Sequence, residues 1–272
     1  MIKALFLDLD GTLLNSERII SRQTRLTLEK CKESGIKLFI ATARPPLLDR
    51  MLLWDENTLS LFDGGAYYNG GCIEIEEQKD YQFISDEIVK KTINYVCEFD
   101  NLNVALQLDG EKHAFRFPLE DIGYKSWGVS AEAALSLHQI ENLNTIKILI
   151  FYANLIDSVT PLNDELVTSL KALCHDTAQF YLTDKGKCVQ IMGRTVNKLK
   201  SIEKIRECLG FENDEIAVFG DDVNDIEMLS EYKYSVAMGN AESQVKDIAK
   251  YVTYDNNSEG IHYAICSILQ LI

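Results

Sequence analysis

No apolar stretch in the chain is long enough to span a membrane; the longest, such as 146–153, is interrupted by Lys147. The N-terminus has strand character and lacks a signal-peptide cleavage pattern. Positive charge is in short supply. Twenty-seven Lys and Arg stand against 42 Asp and Glu, leaving a net charge of −15 that repels nucleic acid and anionic membrane alike. The seven cysteines are odd in number and never fall at a metal-ligand or redox spacing, so they read as small buried hydrophobes in a reducing compartment. There is no internal repeat and no low-complexity linker. These absences lead to the expectation of a cytoplasmic globular protein whose partners include neither nucleic acid nor membrane.

What is present suits a folded core. Hydrophobic residues make up 46% of the 272, enough for one large domain or two interleaved ones. Residues 2–9 form a short apolar run before an Asp-Gly turn, the pattern of a strand buried on both faces. Asp8 and Asp10 then stand at its carboxyl end. Ser21 can cap a helix to Ser34 that Gly35 stops, and 37–41 follows as a second apolar strand, completing a β-α-β unit. Tyr67 and Tyr68 before Asn69-Gly70-Gly71, with Ile73 and Ile75 alternating after them, predict a hairpin over 64–76.

From Ser85 the pattern changes to a capped helix and antiparallel strands at 102–108, 113–117 and 145–153, then a helix near 163–174 and strands around Phe180 and Val189. After Arg194, helix and buried strand alternate again at 197–209, 215–219, from about Asn224, and at 234–237. The predicted fold is α/β. It has a Rossmann-like parallel-sheet core with helices on both faces, built from residues 1–81 and 187–272, and an inserted α+β cap domain spanning 82–186.

Ligands of an open parallel sheet bind at the carboxyl ends of its strands, and the polar clusters fall there. Asp8 and Asp10 follow the first strand and Thr42 and Arg44 the second. Asp221, Asp222, Asn224 and Asp225 follow the 215–219 strand, and Lys198 opens the helix before it. Carboxylates this dense cannot all stay ionised without a cation. A ligand set of hard oxygens, with no cysteine or histidine, favours Mg²⁺ shared with a substrate phosphate. Phosphoryl transfer fits such a site, which needs a nucleophile and donors for the charge on the equatorial oxygens.

The segments 8–14 (Asp-Leu-Asp-Gly-Thr-Leu-Leu), 41–44 (Ala-Thr-Ala-Arg), 69–71, Lys198 and 220–229, together with 236–241 and 251–260, resemble the haloacid dehalogenase-like phosphatases of the Cof-type subgroup. The resemblance spans both ends of the chain. It implies Asp8 as the nucleophile that forms an aspartyl phosphate and Asp10 as the group that protonates the leaving oxygen and then activates water. It implies Mg²⁺ held by Asp8, the Asp10 backbone carbonyl and Asp221, with Asp225 assisting the metal or orienting Lys198. Thr42 and Lys198 would bind the transferring phosphoryl group, with Asn224 nearby and Leu9 and Ala43 in the same set. The pattern departs at Leu199, where this subgroup usually has glycine.

The inserted module resembles a type IIB cap, for which His113, Arg116, Tyr124, Lys125 and Trp127 are candidate substrate contacts. Asn69-Gly70-Gly71 reads as a hairpin connection, and Glu74, Glu76 and Glu77 as a solvated face. The implied activity is hydrolysis of a small phosphorylated metabolite such as a sugar phosphate, a nucleotide or a cofactor intermediate, by a monomer or homodimer. A phosphomutase, passing the phosphoryl group to a second hydroxyl, and a receiver-like regulatory protein are the alternatives.

Overall fold

The computed structural model describes residues 1–76, 78–140, 144–153 and 160–272, so Glu77 lies outside the described residues. It divides into two compact units. The first comprises 1–44, 52–80 and 197–272, and the second 45–51 and 81–196.

The first unit is built on an eight-stranded sheet in the order Tyr251–Val252, Tyr234–Ala237, Ile216–Gly220, Ala4–Leu7, Lys37–Ala41, Gly64–Tyr67, Cys72–Ile75, Gln78–Tyr81. The first six strands run parallel, and Cys72–Ile75 returns antiparallel to Gly64–Tyr67. Central strands of a parallel sheet are covered on both faces, and here Ala4–Leu7 and Ile216–Gly220 are buried at every residue. Phe6, Phe39 and Val218 pack with Ile202, Ile205 and Met228 in one apolar cluster. The helix Arg22–Glu33 starts at Ser21, whose hydroxyl accepts from the Thr24 N–H, so the capping expected from sequence is what forms.

The second unit carries a six-stranded sheet in the order Ala178–Thr183, Cys188–Gly193, Thr145–Tyr152, Leu102–Leu108, His113–Phe115, Leu135–Ser136. One face packs Val104, Ile148, Ile150 and Ile191 against the helices Asp86–Val96 and Asp164–Cys174, through residues such as Val89 and Leu170. The expected division at 186/187 is corrected here. Cys188–Gly193 pairs with Ala178–Thr183 and with Thr145–Tyr152, so residues 187–196 join the second unit. The 186/187 cut falls inside a tight turn where Asp184, Lys185 and Gly186 all take positive φ. Such a turn joins two strands of one sheet, and a cut there would leave both ladders unpaired.

Candidate active site

The residues singled out for chemistry in the first unit follow the carboxyl ends of its central strands, apart from Lys198, which opens a helix. Asp8 continues the ladder of Ala4–Leu7, its N–H donating to the Phe219 carbonyl (3.1 Å), and the Thr42 N–H donates to Ala66 (2.8 Å). Leu9 is fully buried between Asp8 and Asp10, and Ala43 is half-buried between Thr42 and Arg44. Lys198 is the first residue of the helix Lys198–Leu209, which is capped by the Asn197 carbonyl oxygen of the side chain accepting from the Lys200 N–H.

The Lys198 side chain is fully buried, with its Nζ 2.6 Å from both Asp8 Oδ1 and Asp225 Oδ1. Asp225 is held in turn. Its Oδ2 accepts the backbone N–H groups of Asp221 (3.0 Å) and Asp222 (3.1 Å), which closes the turn after Ile216–Gly220. Asp221 accepts from the Thr12 hydroxyl (2.8 Å) and the Asn240 amide (3.3 Å). Gly11 makes this approach possible: its φ is +81°, and a Cβ there would lie 2.2 Å from Asp221 Oδ2.

Carboxylate oxygens of Asp8, Asp221 and Asp225 all lie within 4.8 Å of one another. Two buried acids and the half-buried Asp221 thus face one buried ammonium. Burial raises Asp8 well above the usual carboxylate range, with Asp225 and Asp221 adding repulsion against the pull of Lys198. Burial and then Asp225 push Asp221 up to about 7. Burial alone would discharge Lys198, but attraction from Asp225 and Asp8 outweighs it and raises the ammonium above its ordinary value. With all three acids ionised the cluster is two positive charges short, and its donors are hard oxygens, so the residues present fit a divalent cation.

Asp10 stands apart from this group. Its carboxylate is taken by Arg44 through two hydrogen bonds of 2.6 Å. Asn224 donates to Asn69 Oδ1 (2.8 Å), and the Asn69 N–H donates to the Thr42 carbonyl (2.8 Å). The Asn69-Gly70-Gly71 segment is the expected hairpin connection, and it also ties the Thr42 strand end to the Asn224 turn. A buried Asn69 with φ +58° is what pattern reading passed over.

A family model described as haloacid dehalogenase-like hydrolase matches residues 5–265. The chain belongs to the haloacid dehalogenase-like hydrolases. Among similar members, 5-amino-6-(5-phospho-D-ribitylamino)uracil phosphatase YcsE of Bacillus subtilis (strain 168) is 26% identical over 97% of this chain and 94% of its own length. YbjI of Escherichia coli (strain K12), named for the same activity, is 25% identical over 99% and 97%. Among solved structures, the subclass IIB sugar phosphatase BT4131 superposes with a TM-score of 0.82 at 27% identity, covering 99% of this chain and 100% of that one. Family membership makes the chain a hydrolase of phosphoric monoesters.

The second unit modifies the expected substrate contacts. Arg116 donates to the carbonyls of Val96, Phe99, Leu102 and Cys97, closing the end of the helix Asp86–Val96. His113 is fully buried beside Gln107, and the Tyr124 hydroxyl accepts from the Leu119 N–H. Lys125 is exposed. Trp127 lines an open cleft of about 550 Å³, with Leu149, Phe151, Tyr152, Asp184, Lys185 and Lys187. Among the described residues, no helix is long and apolar enough to cross a membrane.

Proposed function

We propose that the chain is a cytoplasmic, Mg²⁺-dependent phosphatase of small phosphorylated metabolites that works through an aspartyl phosphate on Asp8. The observation that carries this reading is Lys198 Nζ at 2.6 Å from both Asp8 and Asp225, with Asp221 in the same cluster. An Asp8 oxygen attacks phosphorus and the bond from phosphorus to the ester oxygen breaks, with Asp10 giving its proton to that oxygen. Asp10 then takes a proton from water as the water oxygen attacks phosphorus, and the bond to Asp8 breaks to release phosphate.

Lys198, the Thr42 hydroxyl and the Asn224 amide, with the backbone at Leu9 and Ala43, bind the equatorial oxygens. Asp225 holds the Lys198 ammonium in line. Asp8, Asp221 and the Asp10 carbonyl would hold Mg²⁺, which when bound neutralises charge on the transferring group. The second unit is the counterpart of a type IIB cap. The substrate class is a sugar phosphate or a cofactor intermediate, in keeping with the names of YcsE and BT4131.

The test is hydrolysis of p-nitrophenyl phosphate and a panel of phosphometabolites, with and without Mg²⁺. Activity is expected to require the metal and to vanish in Asp8→Asn, and acid-quenched protein should carry phosphate on the peptide containing Asp8. Turnover that survives Asp8→Asn unchanged would end the proposal.

A further inference from the structure

Arg44 has no part in the mechanism above, yet it makes the most directional contact in the site. Nε donates to Asp10 Oδ2 and Nη2 to Asp10 Oδ1, both at 2.6 Å. The arginine is itself anchored. Its N–H donates to Thr42 Oγ1 (3.1 Å), its carbonyl accepts the Tyr68 N–H (2.9 Å), and its side chain is only 12% exposed, against 52% for Asp10.

Because the Asp10 carboxylate is half exposed, solvent screens the pair, and holding the fold together does not by itself explain it. What a bidentate guanidinium supplies is a fixed plane for the carboxyl group. Asp10 needs such a plane, because it follows the strand on a turn through Gly11 and its side chain faces solvent.

We propose that Arg44 is the positioning residue of Asp10, an assignment that rests on the function proposed above. Held by two donors in one plane, the Asp10 carboxyl group is kept in a single orientation for the leaving oxygen and then for the incoming water. A lysine at this position would keep the charge and lose the plane, because an ammonium is a point donor.

The experiment compares kcat/KM of wild type, Arg44→Lys, Arg44→Met and Asp10→Asn on two esters, p-nitrophenyl phosphate and glycerol 2-phosphate. The nitrophenolate leaves with little help from a proton, whereas the alkoxide needs one. General-acid catalysis is worth about 10²–10⁴, so both Arg44 variants should lose roughly tenfold or more on the alkyl ester and less than about threefold on the aryl ester, in parallel with Asp10→Asn. Equal losses on both esters would assign Arg44 to phosphate binding and overturn the proposal, as would no loss on either. Arg44→Lys carries the test if Arg44→Met fails to fold. A wild type inactive on both esters, or an active Asp8→Asn, would instead overturn the underlying function.

Discussion

Asp8 and Asp225 both meet Lys198 at 2.6 Å, yet removing them should affect stability in opposite directions. Asp8 has its folded value raised above the unfolded one, so the folded state holds that proton the more tightly and ionisation near neutrality costs stability. Asp8→Asn removes this cost and leaves Lys198 paired with Asp225. In metal-free protein at pH 7 its melting temperature should equal or exceed that of wild type, and a clear fall would refute the account.

Asp225→Ala, by contrast, strips a buried ammonium of one partner and orphans two backbone donors. A loss of about 3 kcal/mol is expected from the urea midpoint. His113 supplies a pH effect within the second unit. Burial lowers it from 6.5 to about 4, so the unfolded chain binds its proton first as pH falls. Its contribution is complete above 6.5 and is lost between 6.5 and about 4, by up to about 3 kcal/mol. Urea midpoints of wild type relative to His113→Gln should fall over that window, and a flat difference would refute it.

At the scale of elements, the turn at 68–71 and the start of the helix Lys198–Leu209 depend on one another. Gly70 has φ +101°, and a Cβ there would lie 2.1 Å from Ser201 Oγ and 2.6 Å from the Asn197 carbonyl oxygen. Gly70→Ala should therefore displace the first turn of that helix, lowering both thermal stability and kcat, because Lys198 is its first residue. A variant with full kcat would show that Lys198 is held independently of the turn.

Most elements were legible because their signals are local. The 37–41 and 234–237 strands appear with the expected limits, and the helix expected near 163–174 forms as Asp164–Cys174. The sheet membership of Cys188–Gly193 was not legible, because apolar alternation does not say which partner strands it will meet. Nor was Arg116 as a helix stop, since its acceptors come from 96–102, far from it in sequence.

For the whole molecule, the net charge of −15 makes a cation the natural ligand, and its effect should be regional. Mg²⁺ is expected to slow hydrogen exchange at residues 4–12 and 216–225, around the carboxylates, and to leave the helix Asp164–Cys174 unchanged. Uniform protection across both units, or none, would count against a metal site at Asp8 and Asp221.

The sequence by itself determined that buried parallel strands end in carboxylates, and hence which edge of the sheet holds the chemistry, because burial pattern and turn residues are properties of short segments. Only the tertiary structure decided that Lys198 reaches an acid 190 residues away, that Asn69 bridges Thr42 to Asn224, and that Arg44 takes Asp10. Those pairings depend on where strands and helices come to rest against one another, which no stretch of sequence encodes alone.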